Sequence, residues 1–395
     1  MDSEQNGTIY TTAFFLLCLS TLLFSASFNM IIPELPNYLT SLGGAEHKGL
    51  IIALFTLTAG ISRPFSGKLT DKWGRVPVMA IGSIVCVICG FLYPILSSLS
   101  GFFLLRLVHG FSTGFKPTAT SAYIADIIPS NRWGEALGMH GLCYSLGSAI
   151  GPALGGYVSQ AYGIDAMFHS SSAFAFLSII IVFNMKETLK TKSKFHVSML
   201  VITKKDIFEI KVLPAAIVML LCYSSSGVIL TLIPDWSENL GIANKGLFFT
   251  VYTIASVAIR LLSRKAADQH GRTIVMRIGV IIMTLSLLIL GFGESTNYLI
   301  LGAAIFGVGS GILSPALNAW TIDLSNPNHR GRAMATMYIA LEAGIGFGAL
   351  FAGYIYHDII NRIPQILYGN AIVVFLALLY IYYWEKSKNT SQLTK

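Results

Sequence analysis

The chain has 395 residues, 54% of them hydrophobic and 12% charged, with a mean hydropathy of +0.66. Soluble domains carry about 25% charged residues, so this composition excludes a soluble globular protein and leaves a membrane protein. The formal charge of +8 would suit a nucleic-acid binder, but its distribution along the chain, given below, excludes one.

About 20 apolar residues cross a bilayer as a helix. Apolar runs predict twelve spans, at 10–40, 48–70, 76–96, 100–127, 132–160, 164–185, 212–237, 245–266, 273–292, 296–323, 330–357 and 364–384. Their length, and the lack of alternation over ~10 residues, excludes barrel strands. The fold class expected is an all-α membrane protein. Residues 1–5 lack the basic start of a signal peptide, so the first run is expected to be kept as a span. Between the sixth and seventh runs, 186–211 holds seven lysines. This is the expected linker between two halves, 1–185 and 212–395. Within it Phe195, Met199, Ile202 and Phe208 are spaced for a short amphipathic surface helix.

Basic residues set orientation. With the N-terminus inside, 20 of the 27 Lys and Arg fall on inner segments and only Lys48, Lys245 and Arg362 on outer ones. Both termini are therefore expected in the cytoplasm, and the positive charge needs no nucleic acid. The five cysteines lie in apolar runs, and the histidines show no metal-ligand spacing. No metal or cofactor is expected. The Walker loop of ATP-driven machines is absent, and no enzyme constellation is present.

The halves repeat. Arg63, Asp71, Gly74 and Arg75 return 197 positions later as Arg260, Asp268, Gly271 and Arg272. At the same shift Lys48-Gly49 matches Lys245-Gly246, Gly110 and Gly114 match Gly307 and Gly311, and Asp126 matches Asp323. Gly151 matches Gly348, and Gly156-Tyr157 matches Gly353-Tyr354. Parallel halves related by an axis along the membrane normal are a transporter plan.

In chain order, the first span ends Ile32-Pro33-Glu34-Leu35-Pro36, echoed by Ile233-Pro234-Asp235 in the seventh. Each acid follows a proline, and Glu34 is expected either as a solvated acid or as a proton carrier. The turn after the second span holds Gly67, where helices can approach closely, and Gly74, which permits a tight turn. Asp71 there is placed to meet a helix N-terminus. In the fourth span Arg106, His109, Thr113, Lys116 and Thr120 share one stripe. A cation facing lipid costs roughly 2.5–3.5 kcal/mol, so the stripe is expected to face a central cavity, with a structural pairing for Arg106 as the alternative. In the fifth span Gly147, Gly151 and Gly155 form a close-packing face, Pro152 bends the helix, and Gly156 follows them. The eleventh keeps Gly344, Gly348 and Gly353 without the proline. Asn29, Tyr144, Tyr223, Tyr252, Asn318 and Trp320 suggest a mixed polar and aromatic pocket. Glu342 lies mid-span in the eleventh helix and matches Ser145 in the first half. It is expected either to exchange protons or to hold a structural hydrogen bond.

The loop Gly67-Lys-Leu-Thr-Asp71-Lys-Trp-Gly74-Arg75 resembles the helix 2–3 signature of the major facilitator superfamily. The run Gly147-x-x-x-Gly151-Pro152-x-x-Gly155-Gly156 is similar to the helix 5 signature of its proton-driven drug antiporters. The resemblance implies two six-helix bundles rocking about a central site, and export of small molecules driven by a proton gradient. It implies that protonation of Glu342, Glu34 or Asp235 biases which side is open. Asp71 would meet the start of the eleventh helix near 328–330. Arg63, Gly67, Asp71, Gly74, Arg75 and Asp126, with Asp268, Gly271 and Arg272 in the second copy, would latch the outward-open state. Arg264 replaces the glycine of the second copy. A monomer in a bacterial inner membrane is expected, its partners being a small-molecule substrate, protons and lipid. The rivals are a metabolite exporter (sugar, siderophore or amino-acid derivative) and a non-transporting receptor. The basic stripe favours an anionic or zwitterionic substrate.

Overall fold

The structure, a computed structural model, describes residues 11–129, 132–189, 193–202, 209–263, 269–293, 295–325 and 330–393. Within them lie twelve long helices and no strand. They are α1 (Thr12–Ser41), α2 (Lys48–Lys72), α3 (Arg75–Leu92), α4 (Leu99–Ile127), α5 (Trp133–Tyr162) and α6 (Ile164–Phe183), then α7 (Leu213–Asn239), α8 (Leu247–Leu262), α9 (Arg272–Phe292), α10 (Thr296–Leu324), α11 (Arg330–Tyr356) and α12 (Ile363–Leu393). Helices are what apolar runs of this length must form in lipid, where each backbone N–H and C=O needs an internal partner. Among the described residues, nine segments are long and apolar enough to cross a membrane.

Pro33 interrupts α1 with a single 3-10 turn, Ile32–Glu34, before the helix resumes. Its echo Pro234 leaves α7 unbroken. Gly74 and Gly271 start α3 and α9 at φ of 147° and 89°, backbone values that side chains with a Cβ rarely adopt.

The repeat in the sequence is a repeat in packing. In the first half α1 packs on α5 and α6, α2 on α4, and α3 on α4 and α6; in the second, α7 packs on α11 and α12, α8 on α10, and α9 on α10 and α12. Glycine lets two of these pairs close. Gly147, Gly151 and Gly155 of α5 lie against the α1 backbone at Leu22, Ala26 and Met30. Gly344 and Gly348 of α11 lie against Leu220 and Ser224 of α7 in the same way.

The two halves meet through α2 with α11 and α5 with α8. The molecule thus has a terminal face, bearing the described chain ends, and an opposite face bearing the turns at 42–47 and 240–246.

The segment at 193–202 is not the amphipathic helix expected there. Its described part forms one 3-10 turn, Val197–Leu200, and Phe208 lies outside the described residues. Backbone bonds fix its path instead. Ser193 N donates to Lys72 O at 2.9 Å, and Lys68 Nζ donates to Val201 O at 2.5 Å. Phe195 stacks near Trp73 at 5.6 Å between centroids, and Met199 is buried beside Leu69.

Candidate functional site: charged pairs between the two halves

Arg63 of α2 and Glu342 of α11 form an ion pair across the two halves, with Nη2 2.6 Å from Oε1. Both side chains are largely withdrawn from solvent, at 15% and 9% exposure. Gly60, one turn before Arg63, faces Glu342, and a Cβ there would make an ordinary contact with the Glu342 Cβ at 3.5 Å. The guanidinium also lies 4.9 Å over the Tyr338 ring, a cation–π contact. Its Nε is buried without a partner. Tyr144 lies within the electrostatic reach of Glu342, Arg63, Tyr252 and Tyr338, and packs 6.3 Å from the Phe28 ring.

Closer to the opposite face a second set of charges joins the halves. Lys48 at the start of α2 donates to Asp235 of α7 and to Asp358, both at 2.5 Å. Tyr356 O–H donates to Asp235 at 2.8 Å. Glu34, buried at the α1 break, has Lys245 and Ser159 as neighbours, and Lys245 pairs with Glu238 at 2.7 Å. Thus Lys48 and its repeat partner Lys245 each sit by an acid of the other half. Around them the backbones close. Gly49 packs on Ala349 and Gly353, and Gly246 packs on Pro152. Asn244 Nδ2 and Thr250 Oγ1 donate to Ala153 O and Ala149 O at 3.2 and 3.0 Å. Gly156, at the end of the helix 5 motif, faces Asn244. Every described hydrogen bond and ion pair between helices of the two halves lies from Arg63–Glu342 to the opposite face.

The α4 stripe lies elsewhere than the sequence suggests. Arg106, His109, Thr113 and Lys116 point into the first bundle, away from the wall between halves, and all are buried. Serines and carbonyls inside the bundle hold the two cations there, while His109 Nε2 is buried without a partner. Arg106 Nε donates to Ile51 O at 2.7 Å and the guanidinium lies 4.7 Å over Phe55. Lys116 Nζ donates to Ser20 and Ser83 hydroxyls at 2.9 Å and to Ser178. His109 Nδ1 lies 3.5 Å from the Tyr93 hydroxyl, and Thr113 donates to Gly110 O. Trp320 is likewise turned into its own bundle, edge-on to Trp384 at 4.9 Å. Asn29 donates to Ser25 O and Ser148 Oγ at 2.8 and 3.2 Å. Tyr252 packs 5.5 Å from Phe306, and Asn318 Oδ1 is buried without a partner.

At the terminal face, Arg75 Nε donates to Asp126 at 3.0 Å and its Nη1 reaches Asp71 at 3.2 Å. Asp71 is 73% exposed. A Cβ on Gly67 would meet no described residue within 4 Å, so none of the described helices packs closely there. Gly74 supports the turn and lies against Glu187. Arg272 repeats the pattern with Asp323 at 3.1 Å, whereas Asp268 and the 326–329 stretch lie outside the described residues. One participant escaped the sequence reading. Glu187, just after α6, accepts from Arg75 N and Val76 N at 3.0 and 3.1 Å, capping α3 with a carboxylate. Its signal was an acid placed beside a helix start, visible only once α6 is known to end there.

A family model for the Major Facilitator Superfamily matches residues 17–213 and 215–395. The chain belongs to this superfamily. Multidrug resistance protein 2 of Bacillus subtilis is 25% identical over 96% of each chain. Multidrug resistance protein MdtG of Salmonella arizonae is 27% identical over 84% of this chain and 89% of its own. Multi-drug resistance efflux pump PmrA of Streptococcus pneumoniae is 27% identical over 74% of this chain and 76% of its own. Among solved structures, a POT family transporter in complex with a thioalcohol-conjugated peptide aligns with a TM-score of 0.80 at 13% identity, covering 95% of this chain and 96% of that one. The human organic anion transporter MFSD10 aligns at 0.72 and 18%, covering 93% and 98%. These two show the shared fold.

The chain is a multi-pass membrane transporter, not an enzyme, and α2, α5, α8 and α11 form the seam along which its two bundles touch.

Proposed function

We propose that the protein exports small organic molecules, drugs among them, in exchange for protons, by alternating access of a site between its bundles. The observation that carries this reading is the buried Arg63–Glu342 pair across the seam. The similarity to multidrug efflux proteins supports it. The terminal face is cytoplasmic in this reading, as the basic loops require, and the structure is the inward-open state. Deprotonated Glu342 holds Arg63 and keeps the opposite face shut. Substrate enters from the cytoplasm. Bound substrate displaces Glu342 from Arg63 and lets the opposite face open. Glu342 then takes a proton from outside as the substrate leaves and gives it up to the cytoplasm on the return, re-forming the pair. Asp235 and Glu34 tune the same closure. The transporter acts as a monomer in a bacterial inner membrane, with the proton gradient as its only energy source.

The test is transport in proteoliposomes under an imposed pH gradient, with fluorescein and rhodamine 6G as an anionic and a cationic probe. Glu342→Gln is expected to abolish gradient-driven movement of whichever probe the native protein carries, with normal insertion. Undiminished gradient-driven transport in that variant overturns the role of Glu342.

A further inference from the structure

Four cations lie deep within the spans, and three have a close protein acceptor. Arg63 holds Glu342, Arg106 holds Ile51 O, and Lys116 sits in its serine cage. The fourth is Arg260 of α8. Its Nε is buried with no hydrogen-bond partner, and among the described residues no carboxylate pairs with it. The residue as a whole is half-buried, so the outer part of its guanidinium is open to water or to a guest.

The repeat explains why it is alone. Arg260 is the second-half copy of Arg63, and α8 packs on α5 as α2 packs on α11. The position that corresponds to Glu342 is Ser145. A buried hydroxyl therefore stands where the first seam carries the neutralising acid. The duplicated unit has kept the arginine at both seams and the acid at one. The surroundings suit an aromatic guest. The Tyr223 hydroxyl lies in the field of Arg260 and beside Ser314 of α10. One turn further along α10, the Asn318 Oδ1 is buried and unpartnered. An amide assigned this way can turn its N–H group to an anion instead. Tyr223 also lies near Tyr252.

We propose that Arg260 binds the acidic group of the substrate, so that the exported molecules are aromatic organic anions bearing a carboxylate or sulfonate. A planar guanidinium with free N–H groups meets such an oxyanion with paired, charge-assisted hydrogen bonds. The aromatic body of the guest lies on the tyrosines. This names the substrate class of the export site proposed above and rests on that reading. The two seams then divide the work: Arg63 is governed by a proton on Glu342, and Arg260 by the cargo.

The experiment measures binding and transport separately on the full chain. Fluorescein and rhodamine 6G share a xanthene ring system and differ in charge. Fluorescence anisotropy with the detergent-solubilised protein should show fluorescein binding more tightly. Arg260→Gln should weaken fluorescein binding at least ~10-fold, the size expected for hydrogen bonds to a charged group, and leave rhodamine 6G binding unchanged or stronger. Arg260→Lys should retain the preference for the anion with reduced affinity. Ser145→Glu should recreate the ion pair of the other seam, keep the thermal unfolding midpoint, and also abolish fluorescein binding. Equal fluorescein affinity in Arg260→Gln, or in a folded Ser145→Glu protein, overturns the assignment, as does native preference for rhodamine 6G. Gradient-driven transport in proteoliposomes separates the two readings. Binding that depends on Arg260 without gradient-driven transport overturns the export reading and leaves the anion site. Gradient-driven transport indifferent to Arg260 overturns the anion site and leaves export.

Discussion

Lys48 shows how much one residue can decide when it is buried. It meets two carboxylates from the other half, Asp235 and Asp358, and is itself only 6% exposed. Removing one partner of a buried pair leaves the other charge stranded, at roughly 3–5 kcal/mol. The stranded Asp235 regains water if the opposite face opens. Lys48→Met is therefore expected to raise the open population by roughly a hundredfold or more. The readout is maleimide labelling of Ala349→Cys, a position buried against Gly49 in the closed form. Faster labelling in Lys48→Met, returning towards the native rate in Lys48→Met/Asp235→Leu, checks the prediction; an unchanged rate removes Lys48 from the closure. In the sequence Lys48 was only one of the few basic residues on an outer loop. Its partners lie 187 and 310 positions away, a distance that no local pattern bridges.

At the scale of helices, the α1–α5 contact follows from small residues at a fixed spacing. A methyl on Gly151 would lie 2.6 Å from Ala26 O, inside the contact distance. Gly151→Val must push the helices apart, and such overpacking costs about 1–3 kcal/mol. A drop in the unfolding midpoint of the purified protein, larger than that of Gly138→Val, checks this; a Cβ on Gly138 meets open space. The glycine face was legible because close approach demands the absence of a side chain, a property of the residue itself. The direction of the α4 stripe was not. Helical spacing places Arg106, His109 and Lys116 on one side of a helix, but every helix in a bundle has two polar-tolerant sides, the cavity and the bundle interior. The serines of α1, α3 and α6 that cage Lys116 decided between them.

For the whole molecule, the structure has its seam joined from mid-membrane to the opposite face, with Asp71 exposed at the terminal face. If Asp71 helps hold the other arrangement, Asp71→Asn should not disturb this one, since Arg75 keeps Asp126. It should enlarge the fraction closed at the opposite face. Spin labels at Thr40 and Asn239, exposed sites on the two halves, should show a larger share of short distances in the variant, in a background free of native cysteines. An unchanged distribution leaves the turn as a topology signal.

Composition and run length by themselves determined a helical membrane protein, because lipid permits few other ways to satisfy a backbone. The 197-residue shift determined that its halves are alike. Only the tertiary structure decided where they differ. Arg63 and Arg260 occupy equivalent places in the sequence, and their environments are set by what stands across each seam. One faces Glu342. The other is on the helix that packs against the helix carrying Ser145, with no acid paired to it among the described residues. Charges act through space over a few ångströms, so the meaning of each arginine lay in a neighbour that only folding could supply.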